Sequence, residues 1–471
     1  MILPAGMLLA ILGSLALGPR VQGASLGCNL CFWAFFLAFL RRRGTFGRGF
    51  PPFLFFLPLF YLLSFFHRET TERMDYLFGS DMARYLKDAL SFTTGPRHIG
   101  VSILTFPFKD LERLGEALGV PRLGHEYLYL QSALIGWIAV VLFHRALGAV
   151  AAAGLRRIAF LLTCVFAFSL AILAFSSLFE TFLASLMFLL LFLESAGRYA
   201  RTGGVFEGAI LALLTLLALS MSLENVYLAP VFVVTAVLRA TRRGGTGILR
   251  EAAVYAATLL VGFCLLVITA RGSMGPAFYP TWEDKLFPSA SANLATHMDH
   301  FLVFHSDFSR LLDPRAYLAG IYRFFVMSIL AQPWRPVTAY MWDLKNLRPL
   351  APANLAYECL LLVLLVVSGR GLIQRLKDGD FETLFRVATL GSILVIRQTM
   401  VTFYAWRGCI LFAPPSIMAL WLLVGAGLLG KANQSGWSVR VAEIALLLMA
   451  LLLLGVNGAY LLASQRAALP G

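Results

Sequence analysis

Apolar runs long enough to cross a bilayer recur along the whole 471-residue chain, and nothing else in the sequence restricts the fold so strongly. A stretch such as VAEIALLLMALLLLGVNGAYLLA, 441–463, must pair its own backbone amides and carbonyls once it enters hydrocarbon, and within a single segment only a helix does so. Hydrophobic residues make up 59% of the chain and charged residues 14%, so the composition lies well outside that of soluble domains. The expected fold class is an all-α polytopic membrane protein.

The formal net charge of +14 would suggest nucleic acid as the partner of a soluble chain. Here the excess sits in short segments between apolar runs, at 41–48 (RRRGTFGR), 145–157, 198–201, 239–250 (RATRRGGTGILR), 370–386 and 431–440. The positive-inside rule assigns such loops to the cytoplasm, and no nucleic-acid partner is expected. One threading satisfies all six clusters. It has spans near 50–66, 127–143, 158–175, 180–196, 205–220, 226–240, 252–269, 354–368, 387–402, 409–429 and 441–463. Residues 1–18 and 25–40 read as two further spans. Residues 1–24 alternatively read as a signal-like stretch, although a basic leading region is missing. The expectation is about 11 to 13 transmembrane helices with two large extracytoplasmic loops. Four regions follow: 1–49 with N-terminal hydrophobic segments and a basic turn, 50–269 as a transmembrane core containing the first external loop 67–126, 270–353 as the second external region, and 354–471 as the C-terminal helices.

Cysteines 28, 31, 164, 264, 359 and 409 lie within or beside apolar runs, where free Cys behaves as a small hydrophobe. The lone CxxC of Cys28 and Cys31 has no second pair and no nearby His, so neither a metal site nor a disulfide framework is expected. No internal repeat stands out, which disfavours transporter folds built from inverted halves, and no Walker motif is present.

Against this background the first external loop is conspicuously polar. LFGSDMARYLKDALSFTTGPRHIG, 77–100, predicts a helix with Ser80 as N-cap and Asp81 in the first turn, where the helix dipole favours an acid. Asp81, Arg84 and Asp88 then share one face, while Tyr85, Leu86 and Leu90 offer apolar area for lying along the membrane surface. Such a helix holds a carboxylate at the outer edge of the bilayer. Asp81 capping or salt-bridging a surface helix is the plain alternative.

An early span, a large outer loop carrying an acid and a surface helix, many further spans and a second large outer loop resemble the GT-C superfamily of glycosyltransferases that use polyprenyl-phosphate sugars. Three short stretches carry the likeness: GSD at 79–81, SSLFET at 176–181, and WRGCILFAPPSIMAL at 406–420. The chain departs from bacterial members in separating His98 from Pro107 within RHIGVSILTFPF and in placing Gly408 where a second aromatic follows the late Arg.

The resemblance implies a GT-C-like fold and transfer of a sugar from a polyprenyl phosphate to an extracytoplasmic hydroxyl on a saccharide, lipid or protein acceptor. That chemistry needs a carboxylate to take the acceptor proton and positive charge to stabilise the leaving phosphate. It implies Asp81 as the base, with Asp75 in reserve. Arg84, Asp88, His98, Glu180, Glu224, Arg397 and Arg407 are the implied substrate-binding groups. Arg407 stands beside Trp406 and Tyr404 at the outer end of a span, and Arg397 lies inside the apolar run SILVIRQTM. Lipid exposure of an ionisable group there costs about 2.5–3.5 kcal/mol, so Arg397 is expected to face the protein interior or a cavity. Snorkelling to the interface remains the alternative for both arginines.

The second outer region contains THMDHFLVFHSDFSRLLD, 296–313, in which His297, Asp299 and His300, followed by His305 and Asp307, are donors of a kind that bind divalent ions such as Zn or Mn. A divalent ion, Mg or Mn, is therefore a candidate cofactor. The spacing matches no zinc signature and fits a solvated amphipathic helix equally well. PWRPVTAYMWDLKNLRPLAP, 333–352, suits either an interfacial aromatic belt or a carbohydrate surface.

Three functions are open: a lipid-linked glycosyltransferase, a transporter or flippase of a lipid-linked saccharide, and a noncatalytic envelope-assembly protein. The acids gather in the outer loops rather than near the midplane, which favours the enzyme. Richness in Ala, Leu, Gly and Arg suggests a GC-rich bacterial source and hence an inner (plasma) membrane.

Overall fold

A computed structural model describes residues 1–44, 53–67, 96–148, 155–179, 181–245, 247–274, 313–322, 325–326, 328–330, 352–403, 409–429 and 436–468. Among these residues all regular structure is helical. The helices are α1 (Ile2–Leu17), α2 (Ala24–Arg42), α3 (Phe56–His67), α4 (Pro107–Leu118), α5 (Leu123–Gly148), α6 (Arg156–Phe168), α7 (Leu170–Ser177) and α8 (Thr181–Thr202). They continue as α9 (Val205–Met221), α10 (Leu228–Arg243), α11 (Ile248–Met274), α12 (Pro314–Tyr322), α13 (Pro352–Lys377), α14 (Phe381–Phe403), α15 (Cys409–Leu428) and α16 (Gly436–Ala468). Short helical turns cover Pro96–Val101, Ser102–Thr105 and Leu223–Tyr227.

Six of the described helices are long and apolar enough to cross a membrane: α2, α5, α8, α11, α13 and α16. The pair α6 and α7 makes a seventh if it counts as one span broken by a 63° bend. This is the architecture of a multi-pass membrane protein. Burial divides the long helices into two kinds. In α5 and α8 apolar side chains are buried nearly all round, from Ala133 to Phe143 and from Phe182 to Leu193, so these helices form the centre. In α11, α13 and α16 large apolar residues face outward, including Leu260, Ile268, Leu362, Val366, Leu451 and Leu454. A soluble protein would pay for such patches with aggregation; around a membrane bundle they meet lipid chains.

Successive helices pack as hairpins. The turn from α8 to α9 is only Gly203–Gly204, both with positive φ (66° and 105°). At Gly203 a Cβ would stand 2.1 Å from Nε of Arg239, so the missing side chain is also what lets that guanidinium in. Arg239 pairs with Glu251 at 2.6 Å, and Glu251 also accepts from Tyr199 Oη and from the Gly204 amide, each at 2.8 Å. This buried network ties α8, α10 and α11 together.

The basic clusters found in the sequence meet around this end of the bundle. Arg145 on α5 donates to the Arg43 carbonyl and pairs with Glu194 on α8 at 2.9 Å, while Arg201 pairs with Glu382 on α14 at 2.8 Å. Arg375 on α13 donates from Nε to Asp380 at 2.7 Å. Asp380 also accepts from Thr383 and from the Glu382 amide, capping α14. Burial would push the Asp380 carboxyl up, but these hydrogen bonds and the Arg375 charge outweigh it and hold it below its ordinary value.

At the opposite end, two parts of the expected outer loops are packed into the bundle rather than lying over it. Residues 99–106 are buried, with Ile99, Val101, Ile103, Leu104 and Phe106 all inside. Asn29 Nδ2 donates to the Ile103 carbonyl and Gln131 Nε2 to that of Leu104, which satisfies polar groups that lipid could not. The following α4 is amphipathic, and its Asp110 accepts from Ser25 Oγ and the Gly23 amide to cap α2.

The expected continuous span at 158–175 is broken at Ser169, whose ψ of 137° takes it out of the helix. The amides that the break frees are paired by the second outer region. Leu170 N–H donates to the Ile329 carbonyl at 2.9 Å and Ala171 N–H to that of Ser328 at 3.0 Å. Asn457 on α16 donates to the carbonyls of Phe168 (2.8 Å) and Ile329 (2.7 Å). Irregular backbone at this depth persists because protein groups enclose it.

Candidate functional site

Arg397 is the implied site residue whose side chain is fully placed. It lies 2% exposed inside the bundle, six residues before the end of α14 at Phe403. At 1.5 Å per residue that is about 9 Å below the helix end. Its guanidinium stands over the Tyr227 ring, 5.2 Å from the centroid. A desolvated cation over a tyrosine face is stabilised by roughly 2 kcal/mol, which offsets part of the insertion cost. The interior location expected for Arg397 is the one found, and the snorkelling alternative does not apply to it.

Tyr227 ends the short helical turn Leu223–Tyr227, which closes the C-terminal end of α9. Asn225 fixes that turn by donating from Nδ2 to the carbonyls of Ala218 (2.8 Å) and Ser222 (3.0 Å), two acceptors left over where the helix stops. Glu224 belongs to the same turn. The turn contacts α14 on one side and the turn Pro96–Val101, which carries His98, on the other. Gly100 in the latter presses on α9 so closely that a Cβ would lie 2.2 Å from Ser220 Oγ. The turn that carries Glu224 therefore touches both the turn that carries His98 and the helix that carries Arg397, although the three residues are 126 and 173 positions apart in sequence.

Part of the expected second outer region packs beside Arg397. Gln398, next to Arg397, donates from Nε2 to the Tyr317 carbonyl on α12 at 3.4 Å. Tyr357 Oη donates to the Phe325 carbonyl at 2.6 Å, and Tyr322 Oη to Glu358 at 3.3 Å. Burial, with the Glu358 carboxylate beside it, raises the Tyr322 phenol above its ordinary value, so it stays a hydrogen-bond donor. Segments of both expected outer loops thus reach the neighbourhood of one buried arginine.

Asp75, Asp81, Arg84 and Asp88 lie outside the described residues, as do Glu180, Arg407, His297, Asp299 and His300. Among the described residues no three His, Cys, Asp or Glu side chains come together as metal ligands. Cys28 and Cys31 are free thiols. Two contributors escaped the sequence reading. Tyr227 carried no signal beyond lying in an outer turn, whereas Asn457, a lone amide within the run LLLLGVNGAYLL, was a visible polar interruption. Comparison with models of known families and with curated proteins finds no match to this chain.

Proposed function

We propose that the chain is a GT-C-like membrane glycosyltransferase of a bacterial inner membrane that moves a sugar from a polyprenyl phosphate to an extracytoplasmic hydroxyl. The observation that carries this reading is Arg397, a guanidinium enclosed within the bundle close to its outer mouth, where segments of both outer loops converge. A buried, permanently charged donor at that depth suits a lipid-borne phosphate, whose own charge it neutralises.

In this reading the acceptor oxygen attacks the anomeric carbon while Asp81, with Asp75 in reserve, takes its proton. The bond from that carbon to the phosphate oxygen breaks, and the polyprenyl phosphate leaves with the electron pair. Arg397, joined by Arg407, stabilises the charge that develops on the leaving phosphate. The backbone turns that carry His98 and Glu224 meet near the entrance, and these two residues with Arg84, Asp88 and Glu180 complete the substrate-binding groups. The His297, Asp299 and His300 cluster is the place for a divalent ion, Mg or Mn.

The same reading takes α1, α3, α9, α10, α14 and α15, which do not meet the length and hydropathy of the first six, as crossings too. With the six long helices and the bent pair they make the 11 to 13 spans expected, and the gathering of the basic clusters at one end supports that orientation.

A lipid-linked saccharide flippase is the second reading, and the bent α6–α7 span favours it, because broken helices line many transport paths. Purified wild type, Arg397→Gln and Asp81→Asn, incubated with a panel of polyprenyl-phosphate sugars with and without Mg²⁺ or Mn²⁺, separate the two. Release of polyprenyl phosphate by wild type, abolished by Asp81→Asn with donor binding retained and weakened in KM by Arg397→Gln, supports the transferase. Donor binding without release by any protein, together with donor translocation in proteoliposomes, supports the flippase. Equal release by all three proteins refutes the assigned roles.

A further inference from the structure

The basic end of the bundle holds a cavity of about 370 Å³ between α5, α8, α14 and α15, whose lining on α14 ends at Leu390, seven residues before Arg397. Four arginines line it, Arg145, Arg198, Arg201 and Arg386, against two carboxylates, Glu194 and Glu382. Each carboxylate sits between two guanidinium groups. Glu194 lies 2.9 Å from Arg145 and 3.5 Å from Arg198, while Glu382 lies 2.8 Å from Arg201 and 3.3 Å from Arg386. Four positive charges against two negative leave a surplus of two inside one small space. Arg386 is only 9% exposed, so water does little to screen it.

Thr389, one turn further along α14, also lines the cavity. It is fully buried, and its hydroxyl has no hydrogen-bond partner among the described residues. A buried hydroxyl without a partner is destabilising unless a ligand or water serves it. The remaining wall is apolar. Leu142, Leu190 and Leu193 come before the charged residues on helices that run toward this end, and Leu390 comes after them on one that runs away, so they lie deeper in the bundle. Charge at the rim, a hydroxyl below it and leucines beneath describe an amphiphile with a phosphate head.

We propose that this cavity binds a phosphate-bearing anion, and that the leucine floor makes an anionic phospholipid its source. The guanidinium rim would engage the phosphodiester oxygens and Thr389 would donate to one of them, while the apolar part of the lipid nearest its head would lie against the leucines. Occupancy would brace α5, α8, α14 and α15 at the end away from the outer mouth. The site is independent of the function proposed for that mouth.

Delipidated protein in detergent is titrated with dioleoyl phosphatidylglycerol, dioleoyl phosphatidylcholine or inorganic phosphate, with binding read by native mass spectrometry and by melting temperature. The proteins are wild type, Arg198→Gln/Arg201→Gln and Thr389→Val. Arg198 and Arg201 are 41% and 46% exposed, so their replacement leaves the core packing in place. Phosphatidylglycerol adducts and a rise in melting temperature are expected for wild type, with affinity at least tenfold lower in the double variant and several-fold lower in Thr389→Val. Phosphatidylcholine should bind much more weakly. Protection by inorganic phosphate alone, lost in the same variants, would keep the phosphate site but assign it a soluble ligand. Equal phosphatidylglycerol binding by all three proteins, or equal binding of both lipids, overturns the proposal.

Discussion

Replacing Asn457 by Leu tests whether the second outer region is locked to the broken span as the hydrogen bonds imply. The side chain is fully buried and donates to the carbonyls of Phe168 and Ile329 at 2.8 and 2.7 Å. The two acceptors are not equivalent. Ile329 keeps the Leu170 amide as a donor, so it loses one bond of two, a change of about 0.5–1.5 kcal/mol. The Phe168 carbonyl ends α6 just before the bend, and Asn457 is the donor that satisfies it, so removal strands a buried acceptor at about 1–3 kcal/mol. Together the substitution should cost about 1.5–4.5 kcal/mol. Equilibrium unfolding in mixed SDS micelles measures that cost. Hydrogen exchange provides the structural half of the test: peptides covering 165–177 and 325–330 should both exchange faster, because the Leu170 and Ala171 amides are held by the segment that Asn457 anchors. A change below about 0.5 kcal/mol, or faster exchange in only one of the two segments, would refute the view that these elements form one unit.

Glu251→Gln leaves Arg239, whose side chain is 10% exposed, without its counter-charge and should cost about 3–5 kcal/mol. The double variant Arg239→Gln/Glu251→Gln removes both charges, so it should be less destabilised than the two single variants together; strict additivity in the same unfolding assay would show that the pair is uncoupled. Asp380 gives a pH prediction of definite sign. Its folded carboxyl lies below the ordinary value of 3.8, so the stability it adds is present above that pH and is lost as pH falls through the folded value. Melting temperatures between about pH 2 and 5 should therefore fall more steeply for wild type than for Asp380→Asn; parallel curves would contradict the assignment. Gly100→Ala places a Cβ against Ser220 Oγ and should push the turn carrying His98 away from α9, whereas Gly100→Ala/Ser220→Gly removes the side-chain part of that clash and should be more stable than Gly100→Ala alone when melting temperatures are compared.

The membrane class was legible because it follows from one requirement, that backbone polar groups in lipid pair within their own segment, and runs such as 441–463 meet it only as helices. The grouping of basic loops at one end was legible for the same kind of reason, since charge at helix ends follows the sidedness of the membrane. The break at Ser169 was not legible. Nothing in LTCVFAFSLAILAF distinguishes it from a continuous helix, because the groups that stabilise the break, the carbonyls of Ser328 and Ile329 and the amide of Asn457, lie 157 or more residues further along the chain. Residues 99–106 misled for the opposite reason. Their apolar content was visible, but the run is too short to span a bilayer, and only the gap between α1, α2, α5 and α9 makes it an interior segment. Arg397 shows where the two kinds of information meet. Lipid forbids an exposed guanidinium at that depth, so the sequence required an enclosure; only the fold could supply the Tyr227 ring and both outer-loop segments that make that enclosure a candidate site.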